Sequence, residues 1–128
     1  MSGITPTQRT LKKLRDDGYT AGIVERFISI PGSFGKRIDL FNIIDIIAIK
    51  KGEIWGVQSC GQAFADHDKK ILEHENSPKW IEAGGILLLI GWRKLKKVRG
   101  GKAMIWVPRE KIYTKEDFDE QHKLAPLG

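Results

Sequence analysis

A chain of 128 residues, 41% hydrophobic and 30% charged, is sized for one domain with a single packed core, and its one cysteine excludes an intramolecular disulfide. Twenty-two Lys and Arg against 16 Asp and Glu give a net charge of +6 and a pI near 9.5, which favours a polyanionic partner such as nucleic acid. No run approaches the roughly 20 apolar residues of a membrane span, and no basic-then-apolar leader opens the chain. A reducing, intracellular setting without a membrane partner is therefore expected.

The first predicted element is a helix from about Pro6 to Asp17. Thr5 suits its N-cap, Pro6 its first turn, and Gln8 the third position of a capping box. Leu11 and Leu14 form a narrow apolar stripe, Gly18 ends the helix, and Arg9, Lys12, Lys13 and Arg15 make the remaining surface basic. A strand is expected from Ala21 to Ile30, with Ile23 and Val24 as core candidates. Pro31 to Lys36 reads as a loop, placed with Arg37 to wall a ligand groove.

Ile38 to Lys50 and Glu53 to Cys60 then read as two strands rich in β-branched and aromatic residues. Lys51-Gly52 fits a two-residue hairpin loop, Gly supplying the positive φ that such turns need. That loop sets Lys50 opposite Glu53, Ile49 opposite Ile54 and Asp45 opposite Gln58. Period-two alternation puts Cys60 on the Asp45 face and Ser59 on the other. Asp45 stands in an almost wholly apolar segment, where an ionised carboxylate needs a cation, a metal or backbone donors.

Beyond Gly61 a helix is expected from Ala63 to His74. Phe64, His67 and Ile71 share its inner face, so His67 leans toward the sheet as a half-buried packing residue, and Lys70 stands four residues after Asp66 as a surface pair. Ser77-Pro78 caps a short helix to Ala83 with Trp80 and Ile81 inward. Ile86 to Trp92 is a continuous apolar run typical of an interior strand. Six cations follow it: Arg93, Lys94, Lys96, Lys97, Arg99 and Lys102. Ala103 to Val107 is a fifth strand with Arg109 just past its end. Thr114 caps a last helix to about His122, and the tail is expected to fray. The order is α-β-β-β-α-β-β, an α/β chain with a mixed, five-stranded central sheet flanked by helices. No repeat, linker, Walker loop, dinucleotide fingerprint or zinc-type Cys/His spacing is present.

The stretch DIIAIKKGEIWGVQSC resembles the core motif of the PD-(D/E)XK nuclease superfamily, an Asp on one strand followed across a hairpin by an acidic-x-Lys tripeptide. The likeness is to archaeal-type Holliday-junction resolvases and small phage-borne nucleases of that superfamily. TQRTLKKLRDDGY resembles their opening helix and GGILLLIGWRK their strand after the second core helix, so the resemblance runs from Thr5 to Trp106. It implies a restriction-endonuclease-like α-β-β-β-α-β core and metal-dependent endonuclease activity on DNA, selective for branched substrates. It also implies Mg²⁺ or Mn²⁺ as cofactor, with no small-molecule cofactor, and a two-fold homodimer.

Asp45 matches the metal-binding Asp, Gln58 the acidic position and Cys60 the Lys position, while Gln8 stands where the resolvases carry a further Glu. Three of these four positions depart from the pattern. Asp45, the Gln58 amide oxygen and the Ser59 backbone carbonyl remain as hard oxygen ligands for the metal. Cys60 supplies no cation, so Lys69 or Lys70 from the next helix is the replacement, and Asp39 or Glu25 the source of a further carboxylate, although Glu25 beside Arg26 on its strand reads first as an ordinary surface pair. The expected nucleic-acid contacts are Arg9, Lys36, Arg37, Lys69, Arg93, Lys94, Lys96 and Lys97. A second reading, favoured by Cys60, keeps the fold without hydrolysis, as a module that binds nucleic acid or assembles with a partner. A third is a small basic interaction protein.

Overall fold

The computed structural model describes the backbone of residues 4–124 and the side chains through residue 119. The expected fraying of the last residues lies outside them. Helix α1 (Pro6–Asp16) opens the chain with the expected capping box: Gln8 N–H donates to Thr5 Oγ1 and Thr5 N–H to Gln8 Oε1. Strands β1 (Thr20–Ile23), β4 (Ile46–Lys50), β5 (Glu53–Cys60), β6 (Ile86–Lys96) and β7 (Met104–Tyr113) form one mixed sheet in the order β1-β4-β5-β6-β7. β5 and β6 are parallel, and every other neighbouring pair is antiparallel. The short strands β2 (Arg26–Ile28) and β3 (Lys36–Ile38) make a separate hairpin. Helices α2 (Phe64–Glu73) and α3 (Asn76–Glu82) join β5 to β6, and α4 (Lys115–Leu124) follows β7.

Alternation along the strands divides the interior into two layers. Leu88, Ile90 and Trp92 of β6 join Ile46, Ala48 and Val57 beneath Leu11 and Leu14 of α1. Leu87 and Leu89 point the other way, to Ile43, Ile44, Phe64 and Ile71 below α2, with Phe118 of α4 in the same cluster. β6 is apolar on both faces because helices cover both. Thr10, fully buried in α1, accepts a 2.8 Å hydrogen bond from Trp92 Nε1 and ties the helix to that strand. On the other face Tyr113 donates to Asp68 at 2.6 Å, beside Lys111 at 2.9 Å, and these two bonds hold Asp68 below the usual carboxylate range against its own burial.

The β4–β5 register is as the two-residue loop dictates, Lys50 facing Glu53 and Ile49 facing Ile54. Elsewhere the structure departs from expectation. The strand expected over Ala21–Ile30 breaks at Val24-Glu25, where both amides turn to Asp45 O (2.8 and 3.3 Å), and Ile23 is exposed while Ala21 is buried. The strand expected over Ile38–Lys50 is interrupted by a tight turn at 40–44, closed by an antiparallel bridge from Leu40 to Ile44 and by positive φ at Phe41 (54°) and Asn42 (65°). The ladder therefore ends at Ile46–Val57, and Asp45 donates its amide to Val57 O rather than facing Gln58. α3 begins at Asn76, with Ser77 inside it and fully buried, donating to Ile71 O at 2.6 Å, so Ser77 is no cap.

β6 runs on through Lys96 and β7 through Tyr113, so Arg93, Lys94 and Lys96 belong to a strand, as does Arg109. Trp92 to Lys96 lie beyond the level at which β5 ends, since Cys60 pairs with Gly91. The β6–β7 hairpin thus projects about 16 Å past the sheet edge, at about 3.3 Å per residue.

Candidate metal centre

Topology assembles a carboxylate cluster at that edge. β1 runs antiparallel to β4, so its end at Ile23 lies beside Ile46 and the chain leaves it toward Glu25. The Leu40–Ile44 bridge makes Asp39 and Asp45 the next facing residues, one on each side of the turn. Glu25, Asp39 and Asp45 each bring one carboxylate oxygen to within 4.8 Å of the others. Oxygen ligands at about 2.0–2.6 Å from a divalent cation lie about 3–5 Å apart, so the separation fits one shared ion.

Asp45 is the deepest of the three, 5% exposed, and its Oδ2 accepts the Ser59 amide (2.9 Å) and hydroxyl (3.3 Å). Burial, a hydrogen bond shared with Asp39 and the negative charge of Asp39 and Glu25 push it up to about 8, against the lowering effect of the Ser59 amide. Cations touch only the outer pair among the described residues: Lys70 Nζ is 3.5 Å from Asp39 Oδ2, and Arg37 Nη1 is 4.0 Å from Glu25 Oε1. An all-oxygen, electron-rich donor set of this kind, with Asp45 buried and Glu25 and Asp39 partly exposed, suits a hard divalent ion.

Gln58 does not join it as a ligand. Its Nε2 donates to Ile43 O (2.9 Å) and Asp39 Oδ2 (3.2 Å), and its Oε1 meets His67 Nδ1 at 2.9 Å. Turning the amide over would set its oxygen against a carbonyl and a carboxylate, so these acceptors fix its orientation. The expected amide-oxygen ligand is corrected: the oxygen faces His67, and Gln58 steadies Asp39 instead. His67 is half-buried as expected, and burial and Lys70 lower its pKa, so the neutral ring donates from Nδ1. Ser59 meets Asp45 through its amide and its hydroxyl, which also lies 3.0 Å from Thr7 Oγ1, where the sequence suggested its carbonyl as a ligand. Gln8 is spent on the helix cap.

Cys60 is core. It is 5% exposed within the α2-side cluster, and burial pushes its thiol up to about 11. A Cβ on Gly91 would stand 2.7 Å from the Phe64 ring and 3.3 Å from Cys60 Sγ, so the thiol fills a closely packed gap between strand and helix. Although it takes the position of the motif's catalytic Lys, Cys60 is packed away from any substrate and has no catalytic part. As the one cysteine, it makes a clean probe: a thiol reagent should label the folded protein at least about a hundredfold more slowly than the unfolded chain. Equal rates would contradict its burial. Lys70 pairs with Asp39 rather than Asp66, and Lys69 is exposed on α2 without an ion pair among the described residues.

Two basic hairpins flank the cluster. β2–β3 carries Arg26, Lys36 and Arg37, all exposed, and β6–β7 carries Arg93, Lys94 and Lys96, with Lys97, Arg99 and Lys102 in its turn. Arg9 stacks its guanidinium on Trp106 (4.5 Å to the centroid) and lies 5.8 Å from Trp92, so α1 braces the second hairpin. A cleft of about 410 Å³ opens beside Asp39, between Arg26 and the Phe41-Asn42 turn. The turn was legible only through Asn42, whose side chain tolerates left-handed backbone. Among the described residues, no helix is long and apolar enough to cross a membrane. Comparisons with protein-family models, curated proteins and solved structures find no match to this chain.

Proposed function

We propose that the protein is a metal-dependent endonuclease acting on DNA, of the PD-(D/E)XK type that its central hairpin resembles. The observation that carries this reading is the convergence of Glu25, Asp39 and Asp45, with Lys70 at their rim, on a sheet edge bordered by two basic hairpins. The three carboxylates would hold Mg²⁺ or Mn²⁺, which supplies polarisation of the scissile phosphate and acidification of a bound water. Lys70 brings an ammonium from α2 to Asp39, where it would orient the attacking water and offset charge on the phosphate oxygens, the part Cys60 cannot play. Gln58 and, through it, His67 are positioning residues that set the angle of Asp39. Ser59 does the same for Asp45.

The exposed cations of the β6–β7 hairpin suit sequence-independent phosphate contacts. Reversing charge at Lys96 and Lys97 together is expected to weaken DNA binding and to reduce its log–log salt slope by about 2. An unchanged slope would clear both residues of a phosphate role. The function itself is tested by incubating the protein with duplex, flapped and four-way-branched DNA in Mg²⁺, Mn²⁺ or EDTA. Cutting in either metal and none in EDTA is the expected outcome, with branched substrates cut fastest. The alternative, nucleic-acid binding without hydrolysis, is favoured by Cys60 and would appear as binding without cutting in any metal.

A further inference from the structure

The arm formed by β2, β3 and the loop between them grows directly from the candidate centre. Glu25 immediately precedes Arg26, Asp39 immediately follows Ile38, and Arg26 pairs with Ile38 at the root. Residues 26–38 contain three cations, Arg26, Lys36 and Arg37, and no acid. Their apolar residues are turned outward: Phe34 is 100% exposed, Phe27 61% and Ile30 43%.

The loop is held in this shape by a close approach. Gly35 has φ +89°, and a Cβ there would stand 2.5 Å from Phe27 Cζ and 2.6 Å from Ile28 O. The Phe27 ring therefore packs closely against Gly35, while Ser33 N–H donates to Ile30 O at 3.0 Å to close the turn. Phe27 is used inside the arm. Phe34, next to Gly35 in sequence, is left wholly in water at the tip.

We propose that Phe34 is a wedge that inserts between adjacent bases of the nucleic acid, opening a base step near the phosphate held at the carboxylate cluster. This rests on the nuclease reading above. An apolar side chain on a short basic arm is the device by which proteins unstack and kink a duplex, the cations gripping the phosphates beside the inserted ring. The arm's uncompensated positive charge matches a polyanion, and its two roots are continuous with the site. Phe34 stands five positions before Asp39, a reach of at most about 17 Å, which places the opened step within a few nucleotides of the cut. Unstacking is easiest where a base is unpaired or a duplex already branches, so such substrates are favoured over intact duplex.

The test uses the full chain with DNA carrying 2-aminopurine, whose fluorescence rises on unstacking, at successive positions around the cleavage point, in Ca²⁺ to permit binding. The wild-type protein is expected to raise the signal severalfold at one step. Phe34→Ala is expected to leave it at baseline while still binding, and Phe34→Trp to restore it. In Mg²⁺, Phe34→Ala should cut intact duplex roughly tenfold more slowly, but a substrate with an unpaired base at that step within about twofold of wild type, as expected for loss of one stacking contact. Equal signals from wild type and Phe34→Ala overturn the wedge, as does a wild-type protein that cuts DNA without any signal; the nuclease reading then stands. A protein that neither binds nor cuts DNA overturns both. Sedimentation with phosphatidylglycerol vesicles that requires Phe34, with the 2-aminopurine signal unaffected by Phe34→Ala, assigns the tip to a membrane surface instead and also overturns the proposal.

Discussion

Asp45→Ala is expected to lower metal-dependent DNA cleavage by about a thousandfold, on the order of 4 kcal/mol of transition-state stabilisation, while DNA affinity stays level or rises slightly. The carboxyl group removed is the one most deeply buried in the cluster, facing Glu25 and Asp39, and it carries the oxygen that both Ser59 donors orient. Binding persists because the exposed cations on both flanking hairpins are untouched. Lys70→Ala is expected to cost about a hundredfold in rate, the scale for one charged donor at a developing charge, with Lys70→Arg recovering part of it. Cleavage assays with all three variants at equal protein concentration check this. Undiminished cutting by Asp45→Ala would remove Asp45 from the reaction.

Stability is expected to depend on pH and metal in opposite senses. In the folded chain Asp45 keeps its proton to about pH 8, whereas its ordinary value is 3.8. Between those values the folded state binds more protons than the unfolded one, so stability falls as pH rises from about 4 toward 8. A divalent cation binds the ionised cluster, so Mn²⁺ should raise the melting temperature more at pH 8 than at pH 5.5. Asp45→Asn, which keeps an oxygen for Ser59, should remove this fall, leave the opposite trend set by the lowered pKa of His67, and keep the metal-free protein at pH 8 as stable as wild type or more so. Thermal melts at both pH values, with Mn²⁺ and with EDTA, measure it. A wild-type protein more stable at pH 8 than at pH 5.5 in EDTA would contradict the buried, mutually repelling carboxylates.

Local chemistry made the frame legible. Thr5, Pro6 and Gln8 encode the start of α1 within four residues, and Lys51-Gly52 encodes the β4–β5 register through one short turn. Apolar runs located the five central strands, but only β5 at both its ends. What escaped the sequence depends on contacts distant in the chain or hidden by composition. Phe41 to Ile44 reads as strand because three of its four residues are apolar, yet the chain turns there, and that turn brings Asp39 beside Asp45. The orientation of Gln58 is decided by Ile43 and Asp39 of the β3–β4 connection and by His67 of α2, so its residue type alone suggested a ligand. Arg93 to Lys96 reads as loop because a two-stranded arm in solvent lacks a buried face and hence any alternation. Asp45, Asp39, Glu25 and Lys70 were all visible as candidates, and the fold supplies their meeting point.

The measurement that bears most directly on this account is calorimetric titration of the protein with Mn²⁺ at pH 7 in buffers of different ionisation enthalpy, wild type beside Asp45→Ala. One ion per chain is expected for wild type, with a proton released on binding as Asp45 gives up the one it holds to about pH 8. Asp45→Ala should lose both the site and the proton. Absence of a bound ion in the wild type, or binding unchanged by Asp45→Ala, would contradict a cation centre built on these carboxylates.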